Sequence, residues 1–560
     1  MWYYSSGGYM KKDVTMKKNS FVNGAMIVTT AIIITKILGI LYVIPFHAII
    51  GDEGGALYGY AYTIYLFFVS ISTAGIPLAV SRVVSEYQAL GYYKAKKRAF
   101  ILGKRIALLL GLICFILITL FAPILAKLIL GGVVGGSNIS DVVFVIRVIG
   151  SAILVVPILS IYRGYFEGHR FMSPPSISQV LEQVFRVLII IFGSYVALKV
   201  FKGRLSYAVG IALFGASIGA FVSYLYLLNK YRKNIKKFNE KVRTVNEPIV
   251  SDKDIIRKLF IYAIPFIMID VTRSLYNYID MFSVVKGLVE YAKYSADDAE
   301  IIYSMLSTWG QKFNMILLAI SSGIVVSMIP NLTESIVKKD EKEINKKVSL
   351  SLDILLFLMI PMSIGISFLS KPIWTLFYGA SEFGPKLLCY YIFVGLAIGL
   401  FTCLITILQT LKDYKNVLIC LVSGVVVKFI MNMSLLRTFY SIGLPPYYGI
   451  ISATIFGFLT SIVMCIIILH NKYKISFESV LKHFVDIICG SIIMIIALFI
   501  LKFFVPICSD VRIVNVLIII LYAFVGAVVY FAYSRLINLD KSIFGNNGMI
   551  SNFKKLFFRK

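Results

Sequence analysis

Histidine and cysteine are scarce in this chain, with four and seven among 560 residues. The cysteines (114, 389, 403, 420, 465, 489 and 508) lie mostly inside apolar runs, and none forms a CxxC pair. Neither a disulfide framework nor a metal site is therefore indicated. A Walker phosphate loop, an HExxH motif and a nucleophile elbow are also missing, so the chain does not read as an enzyme. No cofactor is expected. Without an ATP site, any transport would have to run on an ion gradient, the membrane potential or the substrate's own gradient. No secretory signal is evident, because the first apolar segment is too long and lacks a small-residue cleavage site. Residues Met1 to Thr15 are polar and aromatic, and Met16-Lys17-Lys18 offers an alternative start. His169, in GYFEGHRF, reads as a surface loop histidine.

Charge is the other scarcity. Only 15% of residues are charged against 59% hydrophobic, and mean hydropathy is +0.86. A soluble fold could not hide that much apolar surface, so the expected class is an all-α integral membrane protein. The net charge of +28 raises nucleic acid as a partner, but its distribution excludes that. Lys and Arg collect in alternate loops, as membrane orientation requires.

Fourteen apolar stretches are each long enough for a hydrocarbon core of roughly 30 Å. They lie near 24–50, 57–85, 100–130, 141–162, 176–199, 206–229, 258–286, 301–334, 347–370, 386–411, 415–437, 449–470, 480–505 and 511–535. One set of loops carries most of the basic residues, including Lys94 to Arg98, Arg163 and Arg170, Lys230 to Lys258, and Lys338 to Lys347. The opposite set carries Asp52-Glu53 and the run Asp297, Asp298, Glu300. Both termini are therefore expected in the cytoplasm of a bacterium, with the chain in its cytoplasmic membrane. The expected organisation is a cytoplasmic tail (1–23), a first six-span lobe (24–229), a basic linker (230–257) and a second six-span lobe (258–470). Two further spans (471–535) and a basic tail (536–560) follow. The ending NFKKLFFRK mixes aromatic and basic residues, which suits the inner membrane surface.

The two lobes look like parallel repeats. ISTAGIPLAVSRVVSE (71–86) aligns with AISSGIVVSMIPNLTE (319–334), pairing Gly75 with Gly323 and Glu86 with Glu334. The same kind of offset places Lys428 opposite Arg186. Parallel six-helix repeats are a known transporter architecture. Pro45, Pro77, Pro157, Pro265, Pro330 and Pro361 lie within or at the ends of spans and supply bending points.

Charges at bilayer depth mark the candidate site. Span seven, LFIYAIPFIMIDVTRSLYNYIDMFSVVK, carries Asp270, Arg273, Asn277 and Asp280. At about 100° per residue these fall within an arc of roughly 80°. A charge at this depth costs roughly 2.5–3.5 kcal/mol, so the stripe must face protein or a wet cavity. It reads either as a structural set, with Asp270 paired to Arg273, or as a substrate pathway. Lys36 in span one, Glu182 and Arg186 in span five, and Gln311-Lys312 in span eight repeat the feature. Arg82, Glu86 and Asp486 sit where snorkelling to the interface explains them. Several cations without an obvious carboxylate suggest an anionic substrate such as a phosphate.

Four stretches carry a family resemblance: TKILGILYVIPFHAIIGDEG (35–54), ISTAGIPLAVSRVVSEYQALG (71–91), GYFEGHRFMSPPSISQVLEQVFRV (164–187) and GQKFNMILLAISSGIVVSMIP (310–330). With fourteen spans arranged 6+6+2, the chain resembles the multidrug/oligosaccharidyl-lipid/polysaccharide exporter superfamily. Within it, the chain is most similar to the MurJ-like lipid II flippases, in the branch of YtgP and stage V sporulation protein B. The resemblance covers almost everything from about Lys17. It implies two lobes in an inverted V around a cationic cavity built from spans one, two, seven and eight, and a lipid-tail groove made by the last two spans. Thr35-Lys36 stands where the family has a Ser-Arg pair. Gln311-Lys312 matches a cavity Arg, and Tyr42 replaces a second basic residue. The implied activity is flipping of lipid II, an undecaprenyl-linked glycan, to the outer leaflet. Lys36, Arg273 and Lys312 would bind pyrophosphate, with Arg82, Asp270, Asn277, Asp280 and Gln311 completing the substrate set. Asp270, Asp280, Glu86, Glu182 and Arg186 would balance charge or couple an ion. Membrane lipids and cell-wall synthesis proteins are the further partners implied. Alternatives left open are a flippase for teichoic or capsular precursors, a cation-coupled multidrug antiporter, and a non-transporting scaffold in wall or spore assembly.

Overall fold

The computed structural model describes residues 21–73, 75–133, 135–239, 247–509 and 511–545. The N-terminal tail, the NFKKLFFRK ending and part of the basic linker lie outside the described residues, among which no strand occurs.

Span one is α1 (Phe21–Leu41) and the first half of α2 (Val43–Thr73). The chain reverses at Gly51, whose φ of 66° and ψ of −168° lie where a side chain would be strained. Span two is the rest of α2 and α3 (Ile76–Leu90), separated by a break at Gly75. Next come α4 (Tyr93–Leu130), then α5 (Ile139–Gly150) and α6 (Ala152–Gly168) as a single span, and α7 (Ser173–Leu188). The last of these continues through two π turns, Ile189–Gly193 and Val196–Val200. After α8 (Leu205–Asn239) the second half opens with α9 (Asp252–Glu290), capped by the Ser251 hydroxyl on the Asp254 amide. α10 (Ala296–Ser304), a π turn (Met305–Trp309) and α11 (Gly310–Lys338) form span eight. The chain then runs through α12 (Glu341–Phe368), the short α13 (Ser370–Tyr378), α14 (Gly384–Thr410), α15 (Tyr414–Ser441) and α16 (Pro446–Tyr473). It finishes with α17 (Glu478–Phe504), α18 (Arg512–Leu536) and the short α19 (Leu539–Phe544).

Twelve of these spans are long and apolar enough by composition alone to cross a membrane. The other two expected spans are the one beginning with α1 and the 39-residue α9, which carries the charged stripe. In the first lobe α2 packs on α5, α6 and α8, α3 on α4 and α6, and α7 on α1 and α8. In the second, α11 packs on α12 and α14, and α16 on α14 and α15. α17 rests on α12, and α18 on α17 and α13, so the last two spans attach to the second lobe.

α9 belongs to both lobes. Its first half sends Ile255, Leu259 and Ala263 into a core with Val80, Phe100 and Tyr165. Its second half sends Met281, Val284 and Leu288 into the larger core. At Gly75 a Cβ would lie 2.1 Å from the Ala263 carbonyl oxygen, so α3 begins hard against α9. Small residues permit such approach where lipid supplies no hydrophobic driving force. Gly323, its counterpart in the repeat alignment, lies in an unbroken helix with open space around it. The two glycines share a repeat position and differ in what they do.

Candidate site between the lobes

The lobes close on each other at the end carrying the acidic loops. A Cβ on Gly55 would meet Trp309 Nε1 at 2.4 Å, and one on Gly59 would meet Ser307 Oγ at 2.3 Å. Thr308 Oγ1 donates to the Gly55 carbonyl at 3.0 Å. Glu300, only 3% exposed, accepts from the Ser137 amide and, at 2.7 Å, from its hydroxyl. Toward the basic end, α9 stays joined to the first lobe through Lys258–Glu86 (2.5 Å) and an Arg98–Asp252 ion pair. The face of α11 from Gly323 through Ser327 to Asn331 is exposed.

Between these ends α1 and α11 run antiparallel, joined by two rungs. Lys36 Nζ donates to Ser322 Oγ at 3.2 Å. Lys312 Nζ donates to Tyr42 Oη at 3.1 Å and lies 5.2 Å from that ring's centre. Each lobe thus contributes one half-buried ammonium that grips a hydroxyl of the other lobe. Neither has a carboxylate within 4.0 Å among the described residues. Two charges held by neutral partners leave strong donors for an anion. Gln311 is half-buried one residue before Lys312.

The stripe on α9 divides. Asp280 Oδ2 accepts from Lys428 Nζ at 2.7 Å, and the same ammonium donates to Thr454 Oγ1 at 2.8 Å beside the Tyr276 ring. That carboxylate is therefore engaged inside the second lobe. The Asp270–Arg273 ion pair of the structural alternative is not formed: among the described residues Arg273 makes no ion pair and no side-chain hydrogen bond. Asp270, Arg273 and Asn277 are all half-buried.

Glu182 is shared by two guanidinium groups, Arg163 at 2.9 Å and Arg186 at 2.6 Å. Arg163 also donates to Ser178. The sequence places Arg163 in a basic loop, whereas it lies within α6, half-buried, and is the partner Glu182 needs. Arg186 sits within electrostatic reach of Tyr58, Tyr62 and Tyr65. Arg82 is exposed and lies 5.8 and 5.6 Å from the rings of Tyr262 and Phe266 on α9, while Glu86 is taken by Lys258. His169 is buried rather than on the surface, its Nδ1 2.8 Å from the Tyr165 carbonyl.

The sequence singles out neither Ser322 nor Thr454, reads Arg163 only as a loop cation, and presents Tyr42 only as a lost charge. Nothing in their local pattern distinguishes them; each matters through a partner on another helix.

Against known proteins, residues 21–334 match the polysaccharide biosynthesis protein family and residues 308–434 match MatE. The chain is 34% identical over 525 residues to the lipid II flippase MurJ of Bacillus subtilis (strain 168), covering 91% of this chain and 94% of that one. It is 30% identical over 223 residues to stage V sporulation protein B of the same organism, 40% of this chain and 41% of that one. Among solved structures it superposes on a lipid II flippase MurJ in an inward closed conformation. There the TM-score is 0.62 at 17% identity, over 92% of this chain and 99% of the other. It also superposes on an inward-facing MATE family multidrug transporter, with a TM-score of 0.61 at 12% identity, over 82% and 99%.

Proposed function

Because this chain belongs to the polysaccharide biosynthesis protein family, within the superfamily that includes the lipid II flippases, we propose that it flips lipid II from the inner to the outer leaflet. The observation that carries the reading is the pair of rungs, in which Lys36 and Lys312 bring one uncompensated ammonium from each lobe to the same interface. A pyrophosphate is the anion that two such cations suit, and Arg273 lies on α9 as a third donor. Asp270, Glu182 and Arg186 balance the charge of this region. Asp280, held by Lys428, does so inside the second lobe.

Beside the second lobe, α12, α13, α17 and α18 enclose an apolar groove of about 340 Å³, lined among others by Phe357, Pro361, Gly365, Leu498 and Tyr522. A polyprenyl tail would lie there while the polar headgroup crosses between the lobes. The basic loops support an orientation with both termini in the cytoplasm, and in that orientation the acidic seal is the outer gate. Transport then alternates between this outer-closed form and one in which the Gly55–Trp309 contact parts. Substrate or an ion must favour one form by differential affinity.

The test is lipid II translocation in cells depleted of their native flippase. The parent should restore it, and the Lys36→Ala, Lys312→Ala and Arg273→Ala variants should not, at equal membrane levels. Full rescue by all three variants would remove the cavity assignment. Failure of a well-inserted parent would move the substrate to another lipid-linked glycan.

A further inference from the structure

At the basic end, outside the region between the lobes, α12, the start of α17 and α19 surround a second cavity of about 950 Å³. Its rim carries Lys342, Lys346 and Lys482. Lys342 and Lys346 are exposed and make no ion pair or hydrogen bond among the described residues, while Lys482 pairs with Glu478 at 2.9 Å. The floor is His483, with Nδ1 3.0 Å from the buried Asp353 carboxylate and Nε2 2.8 Å from Ser542 Oγ. Ser349, Ser479 and Asn345 add neutral polar groups. Three ammonium groups therefore face two carboxylates, of which Asp353 is buried against the His483 ring and Glu478 is paired with Lys482.

The surroundings decide what such a cavity takes. Leu481, Phe484 and Val485, on the same turns of α17 as Lys482 and His483, are exposed apolar residues. An apolar outer face beside an ammonium-and-hydroxyl pocket is the arrangement expected at headgroup depth. A layer of Phe357, Phe531 and Phe544 rings, in contact at 5.5–5.9 Å, separates the cavity from the apolar groove.

We propose that the cavity holds the phosphate of an anionic phospholipid from the surrounding leaflet, with its acyl chains against Leu481 and Val485. Lys342 and Lys346 meet the phosphate oxygens, and Ser349 and Ser479 the glycerol part. The bound lipid bridges α12 of the second lobe to α17 and α19. This site is independent of what the space between the lobes carries.

Native mass spectrometry of the full chain in neutral detergent, titrated with phosphatidylglycerol or phosphatidylcholine, tests this. One tightly held phosphatidylglycerol is expected, retained in preference to phosphatidylcholine and about thirtyfold weaker in Lys342→Gln/Lys346→Gln. Both lysines are exposed, so the variant should melt as the parent does; Lys386→Gln, at the opposite end, should bind as the parent. Equal retention of the two lipids, or undiminished binding by the double variant, would overturn the proposal. Displacement of the lipid by inorganic phosphate would overturn it too, by making this a site for the free anion.

Discussion

Lys428 Nζ and Asp280 Oδ2 lie 2.7 Å apart in the second lobe, and the lysine has no exposed surface. The pair fastens α15 to α9, and Thr454 extends it to α16. Removing one member leaves the other charged and desolvated, a cost of about 3–5 kcal/mol. Lys428→Met is therefore expected to melt well below the parent in detergent. Lys428→Met/Asp280→Asn should recover much of the difference, since no unpaired charge remains. A double variant as unstable as the single would show that packing, not charge, is lost.

Glu300→Ala should loosen the acidic-end seal, because Ser137 on the first lobe loses both contacts to α10. The measurable outcome is faster labelling of a Ser307→Cys probe by a membrane-impermeant maleimide in cells. An unchanged rate would mean the small-residue packing alone holds that end shut.

Gly55→Val should act in the same direction by a different cause. Its Cβ would sit inside contact distance of the Trp309 ring, whose position the buried surroundings fix. Translocation is expected to fall while the protein remains inserted. Combining it with Trp309→Ala should restore part of the activity, and a double variant as inactive as the single would place the damage elsewhere.

Asp413 joins the end of α14 to α15 and accepts from Lys472, Asn416 and Tyr473 at 2.7–2.9 Å. Burial pushes its carboxyl up, but these donors outweigh burial and hold it below the ordinary carboxylate range. A carboxylate with a lowered folded-state pKa stabilises the fold above its unfolded pKa of about 3.9, and this stabilisation is lost as pH falls through the folded value. The melting difference between the parent and Asp413→Asn should be constant near neutral pH and shrink below about pH 4. A difference that persists at lower pH would assign the effect to shape rather than charge.

The spans and the charged stripe on α9 were legible because bilayer thickness and helical period act locally along the chain. Partners were not. Asp270 and Arg273, three residues apart, look like the natural pair, yet Asp280 is the residue with an ion partner, 148 positions away on α15. Lys312 likewise finds Tyr42 across 270 residues. Period fixes which face a residue occupies; only packing of one helix on another fixes what it meets. Arg163 was misplaced for a related reason, since a cation near a span's end reads as loop until Glu182 on the neighbouring helix is seen beside it.

The π turn at Met305–Trp309 lies directly before Gln311 and Lys312. A π turn accommodates an extra residue relative to the α winding on either side. Removing one residue there would let the helix rewind as continuous α with the segment after it kept in nearly the same phase, because the wide turn already absorbs the extra residue. A deletion within the α winding between Lys312 and Ser322 would instead turn Ser322 by about 100° away from Lys36, although neither residue had been altered. The turn is therefore the point at which α11 can change length by one residue and keep its face toward α1, whereas the α winding after it cannot.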